Sequence, residues 1–224
     1  MRALHVHHDA NSLPGLIGEV LADRGVEAVV HQVCEMPGSP TGSPEFPDPQ
    51  AFDLVVLYGS RWSVYDDDVA HWVVPELDML RLADSVGVPV LGLCFGGQLL
   101  SAAHGGLVMA ADQPEVGWHR VQAHVPDIEP GPWLQWHFDV FTVPERAEEL
   151  AASPSGPQAF RLRRNLGLQF HPEADRGVIE AWFADDIDQI QALELDPDEL
   201  LTQADRERPA ARARAERLVS TFLA

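Results

Sequence analysis

The chain has 224 residues, 46% of them hydrophobic, and a formal charge of −20, with arginine supplying all 15 basic residues. Length and apolar content suffice for one α/β domain over 1–224, divided into a core over 1–173 and a helical extension over 174–224. The acidic balance argues against nucleic-acid backbones and anionic membranes as partners. Two cysteines offer no disulfide framework, and no leader or long apolar span follows Met1, so a cytoplasmic protein is expected.

Arg2 to His7 alternates like a short strand. Leu13, Leu16, Ile17, Val20 and Leu21 then recur at helical spacing, with Asn11 or Ser12 as the cap and Gly25 as the stop. Val26 to Val33 reads as a second strand, and this βαβ opening predicts a parallel sheet. His5, His7 and His8 have no carboxylate or cysteine at ligand spacing; they are read as strand-end histidines at the rim of a site, not as a metal set. Cys34 has no basic neighbour and is read as structural. The prolines and glycines between Met36 and Gln50 leave only a loop.

Phe52 to Leu57 is a third buried strand, followed by Tyr58-Gly-Ser-Arg-Trp-Ser63-Val-Tyr-Asp-Asp-Asp68. A glycine at a strand's carboxyl end can donate a backbone N–H to a developing oxyanion. Asp66 to Asp68 are read as a solvated loop and helix start. His71 to Ala83 is an amphipathic helix leading into the apolar run Val88 to Leu93.

That run stops at Cys94, within Gly92-Leu-Cys-Phe-Gly-Gly-Gln98, and Gln98 to Ala103 opens a helix. A thiol on a sharp strand-to-helix turn, crowded by glycines and facing a helix N-terminus, is the arrangement of a nucleophile elbow. Most free cysteines are merely small buried hydrophobes; the full string favours a nucleophile.

From Leu107 to Pro157 the chain is rich in turns and short strands, which predicts a partly antiparallel meander. It contains Trp133-Leu-Gln-Trp-His137-Phe-Asp139, where Trp133 is read as core. Leu166 to Phe170 reads as a strand that delivers His171-Pro-Glu173. A histidine two residues from a carboxylate can be oriented by it while its other nitrogen faces a thiol, and Pro172 fixes the turn between them. Helices follow at Gly177 to Leu193, Asp198 to Gln203 and Ala210 to Leu223, the last with arginines on a solvated face.

Gly92 to Gln98 resembles the G-x-C-x-G-x-Q signature of class I (triad-type) glutamine amidotransferases. The Tyr58 to Asp67 stretch is similar to the G-G-P-M-S-V-Y-D-D segment of the group related to the glutaminase part of GMP synthase, with Tyr58 for the first glycine. Trp133 to Asp139 resembles the W-x-x-S-H-G-D-type segment, with Trp136 and Phe138 in place of small residues. The resemblance implies a flavodoxin-like α/β fold with a mostly parallel sheet, and a Cys94–His171–Glu173 triad acting on the γ-carboxamide of glutamine. It implies an oxyanion hole at Gly59 and Phe95, with Gln98, Tyr58, Ser60, Trp136, His137 and Phe138 around the substrate. No cofactor or metal is required. The expected partner is a separate synthetase that accepts ammonia; a stand-alone γ-glutamyl amide or peptide hydrolase and a non-catalytic binding subunit are the alternatives.

Overall fold

The computed structural model describes residues 1–36 and 38–224, leaving out the side chains of residues 184–186 and 189. Among these residues, eight strands form one sheet in the order β2-β1-β3-β4-β10-β9-β8-β6. Its parallel half comprises β1 (Arg2–His7), β2 (Glu27–Gln32), β3 (Leu54–Leu57), β4 (Val90–Leu93) and β10 (Asn165–Leu168). Antiparallel β9 (Gly156–Leu162), β8 (Glu148–Ser153) and β6 (Gln122–Ala123) extend it from β10. A separate antiparallel pair joins β5 (Val108–His119) to β7 (Trp133–Phe141). The order 2-1-3-4 continued by β10 is the doubly wound flavodoxin pattern, which leaves a crevice beyond the carboxyl ends of β1 and β3.

Alternation along the central strands explains the layers. Ala3, Leu54 and Val56 face α1 (Gly15–Asp23) and α5 (Pro197–Phe222), whose Leu16, Ile17, Ala211, Ala215 and Leu218 complete one core. Leu4, Val6, Val55 and Leu57 point the other way. They pack against Trp72 and Leu80 of α2 (Ala70–Val86) and Leu99 of α3 (Phe95–Ala103). Leu54 to Leu57 are buried throughout, as a strand covered on both faces must be. A third cluster seats α4 (Arg176–Ala192) on the β5–β7 pair, through Ile179 and Ile190 against Val116, Leu134 and Trp136.

Several elements differ from the sequence expectations. The two terminal helices expected at 198–203 and 210–223 are one helix, α5, running through Pro209. It is buried on both sides of the proline, Leu200 and Ala204 against α4 and the β5–β7 pair and Ala211, Ala215 and Leu218 on the main sheet, so tertiary packing outweighs the break signal. The helix after Cys94 begins at Phe95, not at Gln98, because Gly96 and Gly97 are needed inside its first turn. A Cβ on Gly96 would lie 2.5 Å from Leu57 Cβ and 2.6 Å from Leu57 O; one on Gly97 would lie 2.4 Å from Leu168 O. The expected meander is split: β5 and β7 form their own ribbon, while β6, β8 and β9 extend the main sheet.

The amino-terminal histidines are packed within the fold, not set at a rim. His5 Nδ1 meets the Tyr58 hydroxyl at 2.8 Å and His8 Nε2 meets Glu76 Oε1 at 3.0 Å, all four residues being buried. Burial pushes the pKa of His5 and His7 down to about 4. His8 is different: burial works against its charge, yet Glu76, and after it Asp9, outweigh that and hold its pKa above the usual value. Among the described residues no group of three ligating side chains could hold a metal, and no helix is long and apolar enough to cross a membrane. Cys34 is buried, and its thiol is pushed up to about 11, by burial first and then by the charges of Asp9 and Glu76.

The close approach of α3 to β10 has a measurable consequence. Gly97→Ala forces a methyl group against a backbone carbonyl that cannot yield, and should cost about 1–3 kcal/mol. Urea unfolding would read this as a lower midpoint at unchanged slope; an unaltered midpoint would show that the helix can shift without penalty.

Candidate active site

Four carboxyl ends of the parallel sheet converge on one place. β4 delivers Cys94, whose backbone is held at φ 49° and ψ −107°, a conformation that a non-glycine residue adopts only when its surroundings enforce it. The enforcement comes from both sides: Cys94 N–H donates to Leu168 O at 2.8 Å, and α3 starts immediately behind. The first intrahelical bond is Gln98 N–H to Cys94 O at 2.9 Å, so the N–H groups of Phe95, Gly96 and Gly97 have no acceptor within the helix. Their partial positive charge faces the sulfur's surroundings.

β10 ends at Leu168, and three residues later the chain presents His171, fixed by its N–H donating to Leu134 O of β7 at 2.9 Å. His171 Nδ1 lies 2.7 Å from Glu173 Oε1, with both side chains buried. The other nitrogen, Nε2, lies 3.4 Å from Trp136 O, the same carbonyl that Cys94 Sγ meets at 3.9 Å. Burial alone would keep the imidazole neutral. The interaction with Glu173 first, and then with Cys94, outweighs burial and raises its pKa to about 10. The arrangement sets a cysteine sulfur beside an imidazole held by a carboxylate, a geometry able to attack an acyl carbon and then protonate what leaves it.

β3 contributes Gly59. A Cβ there would lie 3.2 Å from His171 Cε1 and 3.9 Å from Cys94 Cβ, so the glycine's backbone adjoins the reactive pair. Ser12, beyond β1, donates its hydroxyl to Gly59 O at 2.8 Å and fixes that peptide. The loop that follows is tied to β7 through Asp139: Ser63 Oγ donates to Oδ2 at 2.5 Å and Tyr65 OH to Oδ1 at 2.8 Å. This explains why serine and tyrosine occupy those places in the Ser63-Val-Tyr65 run.

The residues expected around a substrate divide into two groups. Ser60, Trp136, His137, Phe138 and Gln98 line hollows that open at Cys94. Gln98 is braced from below, its amide donating toward Asp139 O and Gln169 Oε1, both at 3.4 Å. His137 lines the hollow but is engaged at both nitrogens, 3.0 Å from Asp139 O and 3.2 Å from Glu115 Oε2. Tyr58 does not reach the cavity: its side chain is fully buried and its hydroxyl meets His5, because the residue before Gly59 points into the core.

Other residues at the site were not singled out from sequence. Gln169 Nε2 lies 3.7 Å from Cys94 Sγ; a polar residue inside the apolar run Leu166 to Phe170 was the available signal. Asp9, Asn11 and Ser12 line the cavity from the end of β1, and Trp182 lines it from α4. The Trp182 ring stands 4.6 Å from that of His171 and 5.4 Å from that of Trp136. Its position in an acidic amphipathic helix gave no hint of this role.

The comparisons with known proteins agree with this geometry. A family model described as glutamine amidotransferase class-I matches residues 19–188. The glutamine-hydrolysing GMP synthase of Staphylococcus carnosus is 35% identical over 128 residues, covering 53% of this chain and 24% of that protein. The corresponding enzyme of Lactococcus lactis is 37% identical over 136 residues, covering 55% and 25%. The chain thus spans about a quarter of the length of these curated relatives. Among solved structures, a glutamine amidotransferase of Thermotoga maritima superposes with a TM-score of 0.85 at 23% identity, covering 99% of this chain and 97% of that one. Another, from Methylobacillus flagellatus, superposes at 0.84 and 24% identity, covering 99% and 94%. At such identities the superpositions speak for the fold; the family model spans most of the chain, and the chain belongs to the class I glutamine amidotransferases.

Proposed function

We propose that the chain hydrolyses the γ-carboxamide of glutamine through a Cys94 thioester and hands the ammonia to a separate acceptor enzyme. The observation that carries this reading is the buried His171–Glu173 pair, set against Cys94 on a strained strand-to-helix turn. The thiolate attacks the amide carbon, forming a C–S bond as the carbonyl electrons move to oxygen. The backbone N–H groups of Gly59 and Phe95 are the donors next to that oxygen. His171 passes its Nε2 proton to the nitrogen, the C–N bond breaks, and ammonia leaves. The neutral imidazole then takes a proton from water, whose hydroxide adds to the thioester; the C–S bond breaks, releasing glutamate and restoring thiolate and imidazolium. Glu173 fixes the ring throughout and stabilises its charged form.

A synthetase as the ammonia acceptor is consistent with the similarity to part of the GMP synthases. The strongly acidic chain, with a net charge of −20, suits an acceptor with a basic docking face.

Cys94→Ala should abolish glutamate release from glutamine, by about 10⁴-fold or more, with unchanged circular dichroism. A variant retaining near wild-type turnover would remove the sulfur from the mechanism.

The pH dependence follows from His171. Its folded pKa stands near 10 against an ordinary 6.5, so the stability it contributes is complete below pH 6.5 and is lost as pH climbs through 10. The alkaline limb of kcat/KM should therefore fall near pH 10. Glu173→Gln takes away the larger of the two charges that support the imidazolium, and should move that limb down toward neutrality. An alkaline limb in the same place for both enzymes would show that the carboxylate does not hold the charge.

A further inference from the structure

We propose that Gln169 is a further catalytic residue: its carboxamide donates to the Cys94 sulfur and steadies that sulfur whenever it carries negative charge. The inference rests on the Cys94 thioester reading above and adds a donor to the reacting atom itself.

Gln169 follows the last residue of β10 and is completely buried, between the core residues Leu168 and Phe170. Its backbone N–H donates to Gln158 O of β9 at 2.9 Å, which fixes the start of the side chain. A carboxamide taken out of water costs free energy unless its oxygen and its NH2 group find partners. The side chain of Gln169 finds two. Nε2 lies 3.7 Å from Cys94 Sγ, and Oε1 accepts from Gln98 Nε2 at 3.4 Å. Both partners belong to the site, and neither is a backbone group of the sheet. An apolar side chain of the same length would fill the place without that desolvation cost.

The polarity of the contact is fixed from outside it. Asp139 O is a backbone carbonyl and can only accept, so Gln98 must turn its NH2 group there, at 3.4 Å. The same nitrogen supplies Gln169 Oε1, which leaves the NH2 end of Gln169 for the sulfur. Trp136 O, 3.9 Å from Sγ, accepts from a thiol but offers nothing to a thiolate. A hydrogen bond to an ion is roughly twice as strong as one between neutral groups, so the Gln169 donor favours the ionised sulfur. Gln169 lines neither of the hollows that open at Cys94, and it acts on the sulfur without touching substrate. Gln98, which acts through it, is a positioning residue.

The donor serves at two points of the reaction. Before attack it steadies the sulfur electron pair that forms the C–S bond. When the thioester is cleaved, the C–S bond breaks, its electron pair returns to sulfur, and the amide is already in place to receive the charge. Gln169 gives up no proton, so atoms and charge balance as for glutamine hydrolysis above.

The test follows alkylation of Cys94 by iodoacetamide across neutral and alkaline pH, with the label located by peptide mass, beside glutamine turnover. It uses the wild type, Gln169→Met, Gln169→Glu and Gln98→Met. Gln169→Met keeps the length and removes the donor. Its alkylation should be about tenfold slower near neutrality, the gap closing as pH rises, and its kcat for glutamine should fall about tenfold. Gln169→Glu sets a carboxylate against the sulfur and should slow alkylation by about 10²-fold near neutrality. Gln98→Met frees the Gln169 amide to turn and should cost about threefold, with the same dependence on pH. It leaves Gln169 in place, and decides the matter where the Gln169 variants do not fold. Alkylation equal to the wild type at every pH overturns the assignment. So does a loss by the same factor at every pH, which a merely structural residue would give. Slowed alkylation of the expected form, in a chain whose wild type turns over no glutamine, upholds the sulfur donor and overturns the hydrolysis reading instead.

Discussion

The packing of one helical turn between two strands governs the arrangement of everything else at the site. The first turn of α3 lies so close to Leu57 of β3 and Leu168 of β10 that no side chain fits at Gly96 or Gly97. That approach wedges the helix N-terminus into the carboxyl end of the sheet. It leaves the residue at the junction no relaxed conformation, and Cys94 takes a positive φ as a result. The same contact draws β10 against β4, in register from Leu166 with Leu91 to Leu168 with Leu93. His171 can then stand beside a sulfur that is 77 positions earlier in the chain. Backbone proximity comes first, and the reactive geometry is its result.

In two buried pairs a carboxylate offsets the penalty that burial places on a charged histidine. His171 has Glu173 and His8 has Glu76, and both imidazoles are pushed toward the protonated form against the penalty of burial. His5 and His7 have no such partner and stay neutral. The His8 ring also meets the ring of Phe95, the first residue of α3, at 4.8 Å in an edge geometry.

Much of this was legible in the sequence because it is local. Alternation in Arg2 to His7, the apolar runs ending at Leu57 and Leu93, and the glycines around Cys94 each encode a strand end or a tight turn. Segment order placed His171 and Glu173 with the cysteine. What sequence could not supply is what depends on contacts between distant segments. Nothing near Tyr58 indicates that its hydroxyl pairs with His5 in the core, instead of turning to the cavity. Nothing in the acidic stretch after Arg176 marks Trp182 as a wall of the site; only the seating of α4 on the β5–β7 pair brings it to His171. Pro209 misled for the same reason, since its local penalty is offset by burial along the whole of α5.

The sheet order also has a consequence for the life of the nascent chain. β1 to β4 are contiguous neighbours in the sheet, but β10 must pair with β4 across the long excursion through β5 to β9. During synthesis the cysteine emerges well before its base, and the parallel half of the sheet lacks one edge until the chain has passed Leu168. Non-local pairing of this kind is slow, and here its completion is the event that brings His171 to Cys94.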